Sequence, residues 1–577
     1  MTADSPALDP ADDEQERINA RIAGAGGTLA LGNVSSRIIG LAREMVITYF
    51  FGATSAVDAL NVAIIVPRAI YDLLIGGHVN GAIVPVLSDV VARRGKDDLW
   101  RAVSALASLL VVALAALALL IEVFAPQIVP LVAADLDAET QALAAGLLRI
   151  TAPSLLALSL FALFSGTLYA LRAFTLPAFA GVVFNGCIVL LTLLLAPGLG
   201  IVAVALGWLV GSLAQMLLQL PGLSLRSLRP NLNWRQPALR RIGLLYIPVM
   251  LSLALDTLVV RIFTYNLASQ TGAGSISIMN WATTLIQFPQ GLVAAAISAA
   301  VLPTLAQQAL GKARARAFVD TLGLGLRLTL VLILPASFGL FALASPIIAL
   351  LFENGAFLAG HTLVTSTALR WYLLGLPFAA LDLLLVYAFY ARKDTLTPAL
   401  VGIVSLALYI GAALLLFEPL GLYSLMLADS LKHALHASIC AALLWRRLGG
   451  FGSQRLLATG GKALLASLVM ALAAFISLPA LQGWIGAETV LHEALLVALA
   501  GLVYGGIFWL AARWLRLEEL AWLWSLLRQR LGRGERLQVE AAIPAVSSRW
   551  LAWFSSSAAY QAAPSASSGF MYKPISM

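Results

Sequence analysis

Tyr169-Ala170-Leu171-Arg172-Ala173-Phe174-Thr175-Leu176-Pro177-Ala178 returns as Tyr390-Ala391-Arg392-Lys393-Asp394-Thr395-Leu396-Thr397-Pro398-Ala399, with the two prolines 221 positions apart. The same offset relates Leu199-Gly200-Ile201 to Leu420-Gly421-Leu422, and Arg149 to Arg370. Ala125-Pro126 and Ser345-Pro346 stand 220 apart, and Pro85 and Pro303 stand 218 apart. Small length changes therefore accumulate toward the start of a duplicated unit. The fold follows once the content of each copy is known.

Each copy is apolar. The 577 residues are 60% hydrophobic and 11% charged, with a mean hydropathy of +0.90. Soluble domains carry about 25% charged residues. The apolar residues come in blocks of about twenty, the length of a membrane-crossing helix, and a helix satisfies its own backbone hydrogen bonds in lipid. Alternating ten-residue segments of an outer-membrane barrel are absent. We read spans near 28–51, 57–90 (broken), 103–124, 141–170, 175–196, 199–222, 239–268, 276–300, 318–345, 362–390, 397–417, 420–445, 457–479 and 491–514.

Loop charge orients these spans. One set of loops holds Arg93, Arg94, Lys96 and Arg101; Arg172; Arg226 to Arg241; Lys312 to Arg316; Arg392 and Lys393; Arg446 to Arg455; and Arg513 and Arg516. The alternate loops, such as Gly52–Val57, Gln270–Ser275 and Glu353–Gly360, hold no Lys or Arg. Positive residues stay cytoplasmic, so about fourteen spans with both termini inside are expected. The net charge of +8 thus reports topology, and nucleic acid is not an expected partner. Cys187 and Cys440 lie inside apolar blocks, with no disulfide framework or zinc spacing.

The expected class is all-α and polytopic. A polar tail spans 1–25, an N-lobe of six helices 26–224, a C-lobe of six helices 225–448, two extra helices 449–515, and a cytoplasmic, partly disordered tail 516–577. Six spans per copy make the repeat parallel, with a pseudo-twofold axis along the membrane normal and a cleft between the lobes. That is the architecture of an alternating-access transporter, and no enzyme activity is expected.

Ionisable residues inside spans mark candidate function. On the first helix, Ser36, Gly40 and Arg43 share one face, with Arg37 and Glu44 beside them. Two arginines there suit a phosphate-bearing cargo, because guanidinium binds phosphate bidentately. An internal partner for Arg43 is Glu44 or Asp58. The second span, broken at Pro67, Gly76, Gly77 and Pro85, reads as cavity lining. On it Arg68 and Asp72 are four apart and able to pair. Asp256 and Arg261 of the seventh span lie about 140° apart on a helix. The tenth carries Arg370 and Asp382. On the twelfth, Asp429, Lys432, His433 and His436 form one stripe, either self-neutralised or a cargo or proton site. No metal geometry follows from two histidines three apart. His78, His361 and His492 read as structural or loop residues. No Walker-type nucleotide loop is present, so no ATPase drives transport from within this chain.

Ser36-Arg37-x-x-Gly40-x-x-Arg43-Glu44, Phe51-Gly52-Ala53 and Val57-Asp58-Ala59 resemble the opening of the lipid II flippase (MurJ/MviN) family, within the multidrug/oligosaccharidyl-lipid/polysaccharide exporter superfamily. Phe288-Pro289-Gln290-Gly291, Val301-Leu302-Pro303, Phe352-Glu353-Asn354-Gly355-Ala356-Phe357 and the Tyr390–Pro398 stretch also fit, over about residues 26–515. The resemblance implies translocation of an undecaprenyl-diphosphate-linked peptidoglycan precursor across the inner membrane, and a cationic cavity holding the diphosphate. It also implies a groove at the last two helices for the lipid tail. Arg37, Arg43 and Asp58 match family positions, and Arg261 matches an arginine common in the family. Two expected arginines are replaced, by Tyr71 on the second helix and by Thr284 on the eighth, and Arg68 or the Lys432/His433 stripe is the candidate substitute. No cofactor is expected, and coupling would be to membrane potential or a monovalent ion. Cell-wall synthesis enzymes are candidate partners of a monomer. Three alternatives remain open: a flippase for another polyprenol-linked glycan, an ion-coupled small-molecule exporter, and a non-transporting scaffold.

Overall fold

The computed structural model describes residues 10–73, 83–231, 260–309, 315–450, 454–486, 489–522 and 525. Every regular element among them is helical. The first six spans give α1 (Pro10–Phe51), α2 (Ser55–Tyr71), α3 (Val84–Arg94), α4 (Lys96–Val132), α5 (Ala138–Thr151), α6 (Ser154–Ala170), α7 (Thr175–Leu199) and α8 (Val202–Leu217). The second six give α9 (Arg261–Ser269), α10 (Ser275–Pro289), a π segment at Gln290–Ala295, α11 (Ala296–Gln308), α12 (Ala315–Ala342), α13 (Ala344–Phe352), α14 (Ala359–Leu373), α15 (Leu376–Ala391), α16 (Leu396–Leu415), α17 (Phe417–Leu420) and α18 (Tyr423–Leu448). The appendage is α19 (Leu456–Ile485) and α20 (Val490–Trp514).

By length and apolarity, nine helices among the described residues qualify as membrane spans, or ten when the bent pair α14–α15 counts as one. The fourteen-span expectation adds α1 and α18, which carry the ionisable residues, and the second and seventh spans. Parts of those two spans lie outside the described residues, as do Asp256, His78 and most of the tail after Trp522. Helix α1 begins at Pro10, inside the segment read as a polar tail.

The duplication is visible in the backbone. Ser55 and Ser275 begin α2 and α10, 220 positions apart; Ala138 and Ala359 begin α5 and α14, and Val202 and Tyr423 begin α8 and α18, both 221 apart. Arg172 and Lys393 close equivalent turns in the left-handed region, at φ 60° and 61°. Arg149 Nε donates to the Glu122 carbonyl and Arg370 Nε to the Phe341 carbonyl, each at 3.2 Å. These arginines pin each span to the one before it, a structural role rather than a cavity one.

Breaks follow local chemistry. Proline supplies no N–H and clashes with the carbonyl four residues back. Pro153 accordingly separates α5 from α6, and Pro289 precedes the π segment. Pro67 lies inside α2, just before the interrupted region. Close packing follows small residues: a Cβ on Gly207 would stand 3.0 Å from Ile188 Cα, and one on Gly211 2.7 Å from the Phe184 carbonyl oxygen, so glycines four apart seat α8 against α7. The appendage packs on α12 and α13 through Val331, Leu334, Met470 and Tyr504. Leu194, Leu415 and Leu502 are 65–81% exposed, as lipid-facing side chains should be.

The lobes touch at the ends whose loops lack Lys and Arg. There the Ala356 amide donates to the Tyr49 carbonyl at 2.8 Å. Gly52, at φ +57°, lies against the Ala356 carbonyl, where a side chain would not fit.

Candidate functional site

A cavity of about 790 Å³ separates the lobes. Arg37, Arg43, Glu44, Arg68, Asp72 and Arg261 all line it, with Ser36 and Gly40. The sequence reading therefore located its ionisable lining on α1, α2 and α9. Among the described residues, four arginines against two carboxylates leave a net charge of +2 on the wall. Tyr71 and Thr284, where the resemblance expects arginine, also line the cavity and add no charge. Thr284 spends its hydroxyl on its own helix, donating to the Asn280 carbonyl at 2.9 Å.

The four arginines are held differently. Arg43 is fixed: its guanidinium pairs with Glu44, through Nε at 3.1 Å among other contacts, and Nη1 donates to Asn185 Oδ1 at 3.0 Å. Asn185 in turn donates to the Gly181 carbonyl at 2.9 Å. Glu44 Oε2 accepts from the Trp281 indole at 3.1 Å, across the lobe boundary. Arg37 reaches over to the C-lobe, donating to the Gln287 carbonyl at 3.4 Å and resting on Gly291, where an added Cβ would stand 2.6 Å from Nη2. The π segment after Pro289 shapes that landing point. Arg68 and Arg261 share one atom, Asp72 Oδ2, at 4.0 and 3.4 Å. The expected Arg68–Asp72 pair thus exists and also lines the cavity, with Arg261 as a third member from the other lobe.

Asp58 does not line the cavity. Burial is complete, and its carboxylate accepts from the Gly274 amide at 2.7 Å, the Ser277 amide at 2.8 Å and the Ser277 hydroxyl at 2.5 Å. The first amides of a helix have no intrahelical acceptor. Asp58 on α2 therefore caps α10 of the opposite lobe, and the +φ at Gly274 (82°) aims the amides at it. Arg43 pairs with Glu44 rather than with Asp58.

In its contacts the twelfth-span stripe follows the self-neutralised reading. Asp429, Lys432, His433 and His436 sit within the C-lobe and are not lining residues of the cavity. Lys432 Nζ is 2.6 Å from Asp429 and 5.4 Å from the Tyr409 ring centroid; His433 Nε2 is 3.8 Å from Asp429. The stripe's charge is consumed inside the lobe and gives the cavity none. His436 Nδ1 lies 2.6 Å from Asp382 Oδ1, and its Nε2 lies 3.2 Å from the Pro398 carbonyl oxygen. Asp382, His436 and Cys440 are the one three-ligand cluster among the described residues. The 2.6 Å separation is a hydrogen bond, too short for two ligands each about 2.0–2.2 Å from a tetrahedral ion.

Sequence reasoning missed Asn185 and Trp281, which orient Arg43 and Glu44. A lone amide in the apolar Thr175–Leu199 span was the available signal for the first.

The sequence and the overall fold resemble those of known proteins. The family model described as lipid II flippase MurJ matches residues 47–494. A lipid II flippase MurJ of Burkholderia cenocepacia is 34% identical over 378 residues, 64% of this chain and 73% of that one. A probable lipid II flippase MurJ of Haemophilus influenzae is 29% identical over 495 residues, 82% of this chain and 96% of that one. Among solved structures, a lipid II flippase MurJ in an inward closed conformation superposes with a TM-score of 0.69 at 23% identity, covering 83% of this chain and 98% of that one. An inward-facing multidrug resistance transporter of the MATE family follows at 0.57 and 16%, covering 72% and 96%.

Proposed function

The chain belongs to the lipid II flippase MurJ family, and from that premise we propose that it moves an undecaprenyl-diphosphate-linked peptidoglycan precursor from the inner to the outer leaflet of the bacterial inner membrane by alternating access. The observation that carries this reading is the charge of the cavity. A diphosphate diester bears two negative charges, and the described residues of the wall bear a net +2 from four arginines and two carboxylates. Guanidinium groups grip phosphate oxygens through paired N–H donors, and they stay charged in a partly dry space.

The loop charges argue that the Asp58–Gly274 seal lies on the outer side, so the outer end is the closed one in this conformation. Transport then requires the seal to break and the arginine end to close. Arg43, held by Glu44 and Asn185, offers a preset donor. Arg37 and Arg261 each touch partners from the opposite lobe, so cargo bound to them would report on lobe position. Both halves of the site come from one chain, which suits a monomer acting as a transporter without enzymatic chemistry. Coupling is to the membrane potential or a monovalent ion. Membrane lipids cover the apolar belt, the exposed faces of α19 and α20 suit a lipid tail, and cytoplasmic loops are available to cell-wall synthesis enzymes.

A second reading, a flippase for another polyprenol-linked glycan, is favoured by Tyr71 and Thr284 in place of arginine. It keeps the diphosphate and changes the sugar. The exporter of small cations calls for an acidic wall, opposite to the one observed. Expression in cells depleted of their own lipid II flippase is the test. Restored growth is expected; lysis despite normal membrane levels of the protein would overturn the lipid II assignment.

A further inference from the structure

We propose that Asp72 is a built-in stand-in for one phosphate of the cargo, and that cargo binds by displacing its carboxylate from Arg68 and Arg261. The inference rests on the diphosphate reading above and says which contacts that reading must exchange.

The argument begins with spacing. Arg68 and Asp72 are one helical turn apart on α2, so their side chains share a face. Arg261 approaches the same face from α9 of the other lobe. All three line the cavity, and a single oxygen, Asp72 Oδ2, lies between the two guanidinium groups at 4.0 and 3.4 Å. An anion bridging cations on two lobes is the arrangement a bound phosphate would create. Here the protein supplies the anion itself.

The clasp is also weak enough to exchange. The side chains of Arg68, Arg261 and Asp72 are 52%, 37% and 30% exposed, and ion pairs that wet contribute little. The distances exceed those of a short charge-assisted hydrogen bond, about 2.7–2.9 Å. Arg43 is the contrast: its pair with Glu44 is 20% and 14% exposed and reinforced by Asn185. Arg43 keeps its partner, while Arg68 and Arg261 trade theirs.

A competing carboxylate confers charge selectivity. A ligand with one phosphate brings about −1.5 to −2 charge and three oxygens against the single charge of Asp72, so it gains some. A diphosphate brings more oxygens still and can reach both guanidinium groups at once, so it gains more. Asp72 thereby raises the threshold for binding and biases the site against monophosphate lipids. Displacement also frees Arg261 from the N-lobe carboxylate and re-ties it through the cargo.

The test uses the purified full-length chain in detergent, with farnesyl diphosphate and farnesyl monophosphate as probes in calorimetric titrations. The unaltered protein is expected to favour the diphosphate by about tenfold or more, one decade in Kd per differential contact. In Asp72→Asn, which keeps side-chain shape and removes the charge, the monophosphate is expected to bind several-fold tighter and the preference to shrink. Asp72→Glu is expected to restore the preference. Unchanged or weaker monophosphate binding in Asp72→Asn would overturn the stand-in, making Asp72 a support for the arginines. Failure of the unaltered protein to bind either probe would instead sink the diphosphate reading, and the stand-in with it.

Discussion

The two lobes share a backbone plan and divide their charges in opposite ways. Helix starts recur 220 or 221 positions apart, Arg149 and Arg370 make the same carbonyl contact, and Arg172 and Lys393 close the same turn. Yet among the described residues the N-lobe sends Arg37, Arg43, Glu44, Arg68 and Asp72 into the cavity, whereas the C-lobe sends Arg261. The C-lobe keeps Asp382, Asp429, Lys432, His433 and His436 for itself, paired within the lobe. Duplication thus preserves the parts that hold helices in place and leaves ionic groups free to diverge. One lobe supplies most of the described ionisable lining; the other carries an internal ionic core.

That contrast can be broken most directly at α1. Arg43→Ala removes a charge-assisted contact worth about 2–3 kcal/mol, so transport in a reconstituted flipping assay should fall about 100-fold. Arg37→Ala should act in the same direction, with normal protein levels in both. Full activity in either would end the N-lobe's claim to the anion.

In the C-lobe the expected loss is in stability. Asp382→Ala strands His436 and should lower stability by about 2 kcal/mol, read as a lower melting temperature in detergent. Adding His436→Phe should return part of it, because pairs in contact couple by about 0.5–3 kcal/mol. Strict additivity would show that the pair is not a unit.

At the seal between the lobes, Asp58→Ala leaves two amides and a hydroxyl without their acceptor, at about 1–2 kcal/mol. The population open to the outside should rise about tenfold. A cysteine at Asn280, a cavity position, should then react faster with a membrane-impermeant thiol reagent added outside, while one at Lys432 should stay slow.

The smallest effect lies at the turn between α15 and α16 of the C-lobe. The Asp394 carboxyl is pulled from its ordinary 3.8 to about 2 by the Thr397 hydroxyl and amide, and further by Arg447. A depressed carboxyl contributes stability that is full above about pH 4 and is lost as pH falls through about 2. Asp394→Asn should flatten that slope slightly in acid melting curves. Ala173, at the equivalent N-lobe position, has no such group.

Much of this was legible before any coordinates. Repeated prolines and turns marked the duplication that recurs in the helix starts, and Lys and Arg in alternate loops gave an expected direction. Arginines in apolar segments pointed to the cavity because charge in lipid has few other places to go. What was not legible concerned partners. A helical wheel assigns Asp429, Lys432, His433 and His436 to one face but not to a neighbour, and here that face meets Tyr409 and Asp382 inside the lobe. Asp58 pairs with backbone amides 216 and 219 positions away, which no side-chain pattern announces. Asp72 serves two arginines, and only one of them is near it in sequence.

The seal made by Asp58 has a consequence for how the molecule tolerates change. Its counterpart is a helix end, and a helix end offers the same N–H groups whatever side chains decorate it. Substitutions around 275–279 can alter the hydroxyl contribution of Ser277 without removing the two amides. The closure therefore resembles a bolt entering a slot cut in the frame: nearly all its vulnerability to mutation is concentrated at one carboxylate and at the glycine that shapes the slot.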